Sequence, residues 1–473
     1  MPPAGDLAGT PSGYNLARQV YASRAATKVA ASTGGAAVAM PVLASAVAGT
    51  APAVALEAGP PSGGRVRTFS ALSNPHFRWL FAGNVMQFGA MQMQLLVRGV
   101  LVFQLTGSFA ALGLVSLANA IPGLLFSLVG GVVADRAPKK SIIQTSQFLS
   151  GLNAAAVAAL AFSGLLTFHY LLAAAVVQGA TNAMMQPARQ SIIPDLVPRD
   201  RLMNAIALNT SGQNMMQLIG PAAGGALIAF LSPGAVYVVM GTLYFLAVAF
   251  TFRLPKEPVY TMTTPFPGMR GGRRSGGVRD LVAGLRYVAQ DRTVRMLIMV
   301  NFVIVLAAMP YTMMLPGFVR EVLDKGPAEQ GLMMSLAGVG ALTGSLLVAS
   351  LSGGNRGRLL LIFAALLGVA LIMFAASSNY YLTLPIMLLI GVGQAGRMSM
   401  GQVLIQTYSA DEYRGRVMAV WFMQFSLVQF GTFAVGIVSE LIGPQLAIGG
   451  LAAIMLVTML SVAAFVPSFR RLD

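Results

Sequence analysis

Rows of polar side chains at helical spacing, inside otherwise apolar stretches, are the features of this sequence that could do chemistry. Two rows advance in steps of four, three and four residues, which places each row on one face of a helix. The rows are Gln87, Met91, Gln94 and Arg98, and Gln178, Asn182, Met185 and Arg189. Because polar groups are costly in an apolar surrounding, the rows together predict a water-filled cavity. Hydrogen bonding between helices is the alternative for any single amide.

Further polar and aromatic residues in other apolar stretches extend this candidate cavity. They are Asn209, Gln213, Asn301, Tyr311, Gln394, Arg397, Trp421 and Gln424. Arg397 is the most informative, because arginine stays charged and must face water, an acid or an anionic group. One interpretation gives it a carboxylate or catecholate of a cargo molecule. The other lets it reach lipid headgroups or pair with Asp411 or Glu412 in the following loop.

Other kinds of chemistry lack the residues they need. The chain has no cysteine and only two histidines, His76 and His169, so it offers no disulfide framework and no cysteine-based metal site. No phosphate-cradling P-loop occurs, and the stretches GPPSGG and MRGGRRSGG are typical of linkers. We therefore expect no enzyme activity, no metal ion, no cofactor and no ATP-driven step.

The elements that must position the polar rows are membrane-spanning helices. Of the 473 residues, 56% are hydrophobic and only 10% are charged, against roughly 25% charged in an ordinary soluble domain. Apolar stretches of about 20 residues recur between positions 78 and 467, and each is long enough to cross the hydrocarbon core as a helix. The sequence predicts an all-α membrane protein with twelve transmembrane helices.

Charge in the loops predicts the orientation of these helices. Lys and Arg are concentrated in alternate loops, such as DRAPKK, NRGR and DEYRGR, and in the long link after the sixth span. The intervening loops QLTGSF, LSPGA and SSNY contain none, and the loop REVLDKGPAEQ is the exception. Since basic loops stay in the cytoplasm, both termini are expected there, in a multi-pass protein of the cell (inner) membrane. The formal net charge of +16 then suits the anionic headgroups of the lipid bilayer rather than nucleic acid.

Composition divides the chain into five parts. The first has few large apolar side chains and is expected to be disordered, with a weak targeting segment as the alternative. The third is basic and flexible and ends in a short amphipathic helix. In order, the parts are a tail at 1–73, a six-helix bundle at 74–252, a cytoplasmic link at 253–293, a second six-helix bundle at 294–467 and a tail at 468–473.

One loop and one helix carry recognisable motifs. The loop GVVADRAPKK, Gly131–Lys140, resembles the signature loop of the major facilitator superfamily, with Pro138 where that loop usually has glycine. The stretch GPAAGG, Gly220–Gly225, is similar to the motif of that superfamily's drug:proton antiporters, although Ala207 and Met216 replace two of its earlier glycines. Surrounding stretches such as YRGRVMAV resemble the branch that contains enterobactin exporters and macrolide efflux pumps.

The resemblance implies roles for the motif residues. Asp135 would lock the cytoplasmic side against Arg189 and the segment 411–414, while the neighbouring bases grip carbonyl groups or headgroups. The alternative for these bases is that they only enforce the topology. The expected gate consists of Gly131, Asp135, Arg136, Lys139, Lys140 and Arg189. The residues interpreted as a helix-packing motif are Gly220, Pro221, Gly224 and Gly225.

The resemblance also implies a function, that of a secondary transporter. We expect an exporter of amphipathic or aromatic small molecules, of drug or siderophore type, that works as a monomer by alternating access. Coupling to protons would fall to Asp135 and Glu440, because Ala175 stands where the antiporters have a basic residue in span four. An importer or lysophospholipid transporter on the same fold is one alternative. A non-transporting membrane sensor or assembly factor is another.

Overall fold

Long apolar runs of this chain form helices, because a helix satisfies its own backbone hydrogen bonds where water is absent. The computed structural model describes residues 69–136, 138–255, 257–260, 277–351 and 354–472, and gives only the backbone at 127–136 and 277–281. Most of the predicted tail at 1–73 and residues 261–276 of the predicted link lie outside the described residues. Of the predicted gate residues Gly131, Asp135 and Arg136, only the backbone is described.

The first half of the described chain is a succession of long helices. Asn74 caps the first of them by accepting hydrogen bonds from the backbone N–H groups of His76 and Phe77, and Gly107 ends it in the left-handed conformation. The helices are α1 Pro75–Thr106, α2 Phe109–Arg136, α3 Lys139–Phe162, α4 Phe168–Leu196, α5 Leu202–Phe230 and α6 Pro233–Phe252. Short 3-10 turns, Ser70–Ser73 and Arg199–Arg201, precede α1 and α5.

The second half begins with the link helix and contains two interrupted helices. Its elements are α7 Gly277–Gln290, α8 Arg292–Ala308, α9 Tyr311–Glu321, α10 Pro327–Ser350, α11 Arg356–Ala376, α12 Tyr380–Tyr408, α13 Arg414–Phe422, α14 Gln424–Ile442, α15 Pro444–Phe465 and α16 Pro467–Arg470. Helix α7 occupies the place of the predicted amphipathic helix. Pro310 separates α8 from α9 because it lacks the N–H that would continue the helix. Met423 separates α13 from α14.

The described helices have the length and composition of membrane spans. Within the described residues, ten helical segments are long and apolar enough to cross a membrane, if α8–α9 and α13–α14 each count as one. The two other predicted spans coincide with α4 and α5, which are 29 residues long but are not among the ten. Both carry several amides, such as Gln178 and Gln213, which lower their apolar character. The all-α membrane class is confirmed, and the count of twelve spans stays a prediction.

Helices in the two halves pack in the same pattern. In the first half α2 packs against α4 and α3 against α6, while in the second half α10 packs against α12 and α11 against α15. The halves meet where α2 contacts α14, α5 contacts α10 and α1 contacts α9. We call the end that carries Lys139, Arg199 and Arg414 the basic end, and the other end the opposite end.

Glycines bring the two halves together toward the opposite end. A Cβ atom at Gly225 of α5 would lie 2.5 Å from the carbonyl oxygen of Pro327 in α10. Where α14 meets α2, a Cβ atom at Gly436 of α14 would lie 2.6 Å from the carbonyl oxygen of Phe109 in α2. No side chain fits at such distances, so the helices of the two halves approach backbone to backbone.

The remaining residues of the predicted packing motif serve two neighbours. A Cβ atom at Gly220 would lie 2.6 Å from Cβ of Gln92, and one at Gly224 would lie 3.4 Å from Cα of Met93, both in α1. The carbonyl oxygen of Pro221 instead faces Gly331 of α10. The motif therefore serves two faces of α5. One face packs against α1 of the same half, and the other face packs against α10 of the second half.

Candidate functional site

A buried polar cluster in the second half contains Arg397. Its Nη1 donates to Oδ1 of Asn301 at 3.4 Å, and its Nη2 donates to Oε1 of Gln394 at 3.2 Å. Asn301 Nδ2 donates in turn to Oε1 of Gln424 at 3.1 Å. Asn301, Arg397 and Gln424 are each at most 4% exposed. The cluster joins α8, α12 and α14, and it collects predicted cavity residues that are far apart in the sequence.

Both interrupted helices of the second half break beside this cluster. Gln394 Nε2 contacts the sulfur of Met309 at 3.2 Å, and Met309 lies in the gap between α8 and α9. Gln424 is the first residue after the gap at Met423. Interrupted helices are where secondary transporters place their binding sites, since a break can change its angle and frees polar backbone groups.

The cluster has donors that nothing in the described structure satisfies. Arg397 Nε, Gln424 Nε2 and Trp421 Nε1 are buried and have no hydrogen-bond partner among the described residues. The Trp421 ring is fixed against α12, because a Cβ atom at Gly401 would lie 2.6 Å from its Cη2. Asp411, the predicted alternative partner of Arg397, instead pairs with Arg414.

The row on α1 is buried within the first half. Gln94 accepts a hydrogen bond from the Tyr244 hydroxyl of α6 at 3.1 Å. Gln87 is fully buried, and neither atom of its amide has a partner among the described residues. Arg98 is 8% exposed. Asn209 accepts from Asn84 of α1 at 2.7 Å, which links α1 to α5. Much of this row therefore faces neighbouring helices of its own half.

The row on α4 ends in a second buried arginine. Gln178 Nε2 donates to Oδ1 of Asn182 one turn away at 3.1 Å, and Met185 is fully buried. The Arg189 guanidinium lies 3.9 Å from the centre of the Phe88 ring, a cation–π contact. Its Nη1 and Nη2 have no hydrogen-bond partner among the described residues. Its predicted partner Asp135 has a side chain outside the described residues.

Five predicted cavity residues keep partial exposure. They are Met91, Asn182, Asn209, Gln213 and Gln394. Tyr311 is instead part of the aromatic core of the second half, where its ring meets Phe374 edge-on with 6.1 Å between centroids. The structure thus separates the predicted cavity set into half-exposed positions and a larger group inside the helix packing.

The two lysines of the signature loop bind within the first half. Lys139 Nζ lies 2.6 Å from a carboxylate oxygen of Asp195 and donates to the Ser191 carbonyl at 2.9 Å. Lys140 Nζ donates to the carbonyl oxygens of Phe252 and Leu254 after α6. These contacts fasten α3 to the ends of α4 and α6. Asp195 was not among the predicted gate residues, although it lies near the end of an apolar helix, directly after a proline.

Glu440 makes a contact between the two halves that cannot be predicted from the spacing of residues in the sequence. One of its carboxylate oxygens accepts from the backbone N–H of Phe109 at 2.7 Å, from the Ser108 hydroxyl at 3.0 Å and from the N–H of Ala110 at 3.3 Å. Glu440 lies in the last turn of α14, toward the opposite end, and from there it caps the first turn of α2 in the other half. A carboxylate is favoured there by the positive end of the helix dipole.

Comparison with known proteins decides the family. Residues 66–473 match the family described as transmembrane secretion effector. The chain belongs to this family of the major facilitator superfamily. The predicted membership of the superfamily is confirmed, and the protein is a multi-pass membrane transporter of small molecules rather than an enzyme.

The relatives of this chain include transporters with named functions. The staphyloferrin A transporter of Staphylococcus aureus is 22% identical over 334 residues, which are 70% of this chain and 81% of that protein. The multidrug efflux pump Tap of Mycolicibacterium fortuitum is 26% identical over 387 residues, which are 79% of this chain and 91% of that protein. Both names describe transport, and one describes efflux.

Solved structures show the same fold. A crystal structure of a point mutant of the nucleoside transporter NupG superposes with a TM-score of 0.65 and 14% sequence identity. The superposition covers 81% of this chain and 99% of that one. At this identity the likeness shows the fold alone, and it confirms the predicted major facilitator fold.

Proposed function

We propose that this transporter is a secondary exporter of amphipathic or aromatic small molecules, working by alternating access. Its similarity to a multidrug efflux pump over most of both chains supports the direction and the breadth of substrate. Its 28 methionines and 25 phenylalanines suit an adaptable apolar binding surface. We further propose twelve spans, which include α4 and α5, with both termini in the cytoplasm of the cell (inner) membrane, in a monomer.

Alternating access is inferred from the contacts between the two halves, which we call the seam. The glycine approaches at Gly225 and Gly436, and the Glu440 cap on α2, all lie toward the opposite end. Two repeated bundles held together near one end have the geometry of one limiting state of a rocking cycle. With basic loops in the cytoplasm, this state is closed to the outside.

Proton coupling is part of the proposal, and Glu440 is its best-placed group. Protonation would remove the charge that the first turn of α2 favours, and so weaken the contact between the halves. Asp135 remains the candidate at the basic end and the proposed cytoplasmic gate, together with Arg189. Lys139 and Lys140 would then support the gate by fixing α3, since their contacts lie within one half.

Efflux measured in whole cells tests this function. Cells without their own multidrug pumps would be loaded with N-phenyl-1-naphthylamine, with and without this protein, and with and without a proton uncoupler. We expect lower accumulation with the protein and loss of that difference with the uncoupler. A Gly225→Val variant, matched for membrane abundance, should not export, because its side chain blocks the approach of α10. Higher accumulation would show an importer, and unchanged accumulation a non-transporting protein.

A further inference from the structure

The cluster around Arg397 is unbalanced in charge. Ion pairs such as Lys139–Asp195, Arg201–Asp200 and Arg414–Asp411 are seen among the described residues, but none is seen at Arg397. Its hydrogen-bond partners, Asn301 and Gln394, are neutral amides. Arginine does not lose its proton in proteins, so a permanent positive charge is buried here without a counter-charge from the described side chains. Such a charge is costly unless something negative reaches it.

The hydrogen-bonding groups of the cluster also indicate that a negatively charged partner is missing. The amide oxygens of Asn301, Gln394 and Gln424 are all occupied by donors from inside the cluster. The atoms left over are Arg397 Nε, Gln424 Nε2 and Trp421 Nε1, and each of them is a donor. Two of these, in the guanidinium and the indole, can only donate, whatever the orientation of the amides. The cluster therefore lacks acceptors.

Two helix interruptions flank the cluster. Gln394 is only half-buried, and it contacts Met309 at the break between α8 and α9. Gln424 lies at the second break. A change of angle at either break would move one wall of the cluster without unfolding a helix.

We propose that Asn301, Gln394, Arg397, Trp421 and Gln424, the Arg397 cluster, bind the anionic group of a cargo molecule, a carboxylate or a sulfonate. Unsatisfied donors beside a fixed positive charge are the arrangement that recognises such an oxyanion. This inference rests on the proposed export function and narrows its substrates to aromatic or amphipathic anions.

Two probes that share one skeleton isolate the anionic group. 8-Anilinonaphthalene-1-sulfonate carries a sulfonate, and N-phenyl-1-naphthylamine is the same aromatic system without it. The chain has two tryptophans, so Trp79→Phe leaves Trp421 as the sole indole donor of energy to a bound probe. Trp79 lies at the basic end against Phe250 and Arg253, away from the cluster. Binding would be measured on purified full-length protein in detergent, with Trp79→Phe/Trp421→Phe as the background for probe in the micelles.

Variants of the cluster should separate the two probes. Arg397→Gln should weaken sulfonate binding about ten-fold or more, Arg397→Lys by less, and both should leave the neutral probe within about two-fold. Gln424→Glu places a carboxylate in the cluster with almost no change in side-chain shape, so this variant should fold well. The new negative charge should also exclude the sulfonate probe. Arg358→Gln, an exposed arginine at the basic end, is the matched control and should change neither affinity.

The outcomes distinguish this inference from the proposed function. Equal losses for both probes in Arg397→Gln, or full sulfonate affinity in Gln424→Glu, would make the cluster a structural network and overturn the inference, while export of the neutral probe could stand. Selective sulfonate binding by a protein that exports neither probe would support the subsite and refute the exporter.

Discussion

At the scale of single residues, Lys139 shows how a spatial neighbour changes the interpretation of a motif. The resemblance assigns it to a gate, yet its ammonium group lies between the Asp195 carboxylate and the Ser191 carbonyl of the adjacent helix. The contact joins α3 to α4 within one half. We therefore expect its loss to lower stability more directly than it alters the equilibrium between transporter states.

Single and double variants of this pair measure its contribution. In a cycle of Lys139→Gln and Asp195→Asn, we expect a coupling energy of about 0.5–1 kcal/mol, because the side chains are partly screened by solvent. Equilibrium unfolding in mixed detergents would be the measurement. The Arg414–Asp411 pair is more exposed, and the same cycle there should give almost no coupling. Equal coupling in the two pairs would contradict this assignment.

Residue spacing predicted some of the site and could not predict the rest. Gln394 and Arg397 are one helical turn apart, so the sequence places them on one face of a helix, and in the structure they form a hydrogen bond. Asn301 and Gln424 are 123 positions apart, and their contact depends on how α8 and α14 pack. The Glu440 cap on α2 depends likewise on the seam between the halves. Such long-range pairs need the tertiary structure.

At the scale of elements, the two helix interruptions differ in how well they can be predicted from the sequence. Pro310 inside an apolar run predicts an interruption, since proline cannot donate the next hydrogen bond. The break at Met423 has no such signal, because methionine is a good helix former. Both breaks lie beside the Arg397 cluster, which suggests that packing around the polar residues shapes them.

The link helix α7 is an element that the sequence did predict. Tyr287 stacks on Tyr413 of the segment before α13, with 4.6 Å between ring centroids, and its hydroxyl accepts from the Ala410 N–H at 3.2 Å. Its other side leaves Val282 and Leu285 exposed. The alternation of apolar and basic residues is visible in the sequence, but the choice of α13 as partner is not. Helix α7 thereby braces the start of α13.

A pair of glycines tests this brace. A Cβ atom at Gly284 would lie 2.8 Å from the carbonyl oxygen of Arg416, whereas one at Gly415 in α13 would meet nothing within 4 Å. Gly284→Ala should therefore displace α7 and increase trypsin cleavage of the link several-fold, measured as the rate of chain cutting in detergent. Gly415→Ala carries the same chemical change and should leave that rate unaltered. Similar cleavage of both variants and the wild type would show that α7 is not held through Gly284.

At the scale of the whole molecule, composition and two motifs were enough to predict the fold. The scarcity of charge predicted membrane helices, and the signature loop predicted the superfamily, which the family match confirms. Neither feature predicts near which end the two halves approach each other most closely. That is set by the seam, where glycines at positions such as Gly225 let backbones touch and Glu440 spans the halves.

Glu440 should bias the equilibrium between the two transporter states. Its carboxylate caps α2 from the other half, and it can do so only while the opposite end is closed. Loss of a helix cap costs about 1 kcal/mol, which is roughly a five-fold change in an equilibrium constant. Glu440→Ala should therefore raise the population that is open at the opposite end by about that factor.

A cysteine placed in the seam reports this population, because the natural chain has none. Ser335 lies between α10 and α5, where its hydroxyl donates to the Leu218 carbonyl at 2.9 Å and is shielded from solvent. Ser335→Cys should react with a maleimide about five-fold faster in the Glu440→Ala background. Glu329 provides the control, since the hydrogen bond that it accepts, from the Gly326 N–H at the start of its own helix, lies within one half. Glu329→Ala removes an acid from the same end and should leave the labelling rate unchanged. Equal acceleration by the two variants would mean that lost charge loosens this end in general, and that the cap on α2 is not what holds the halves together.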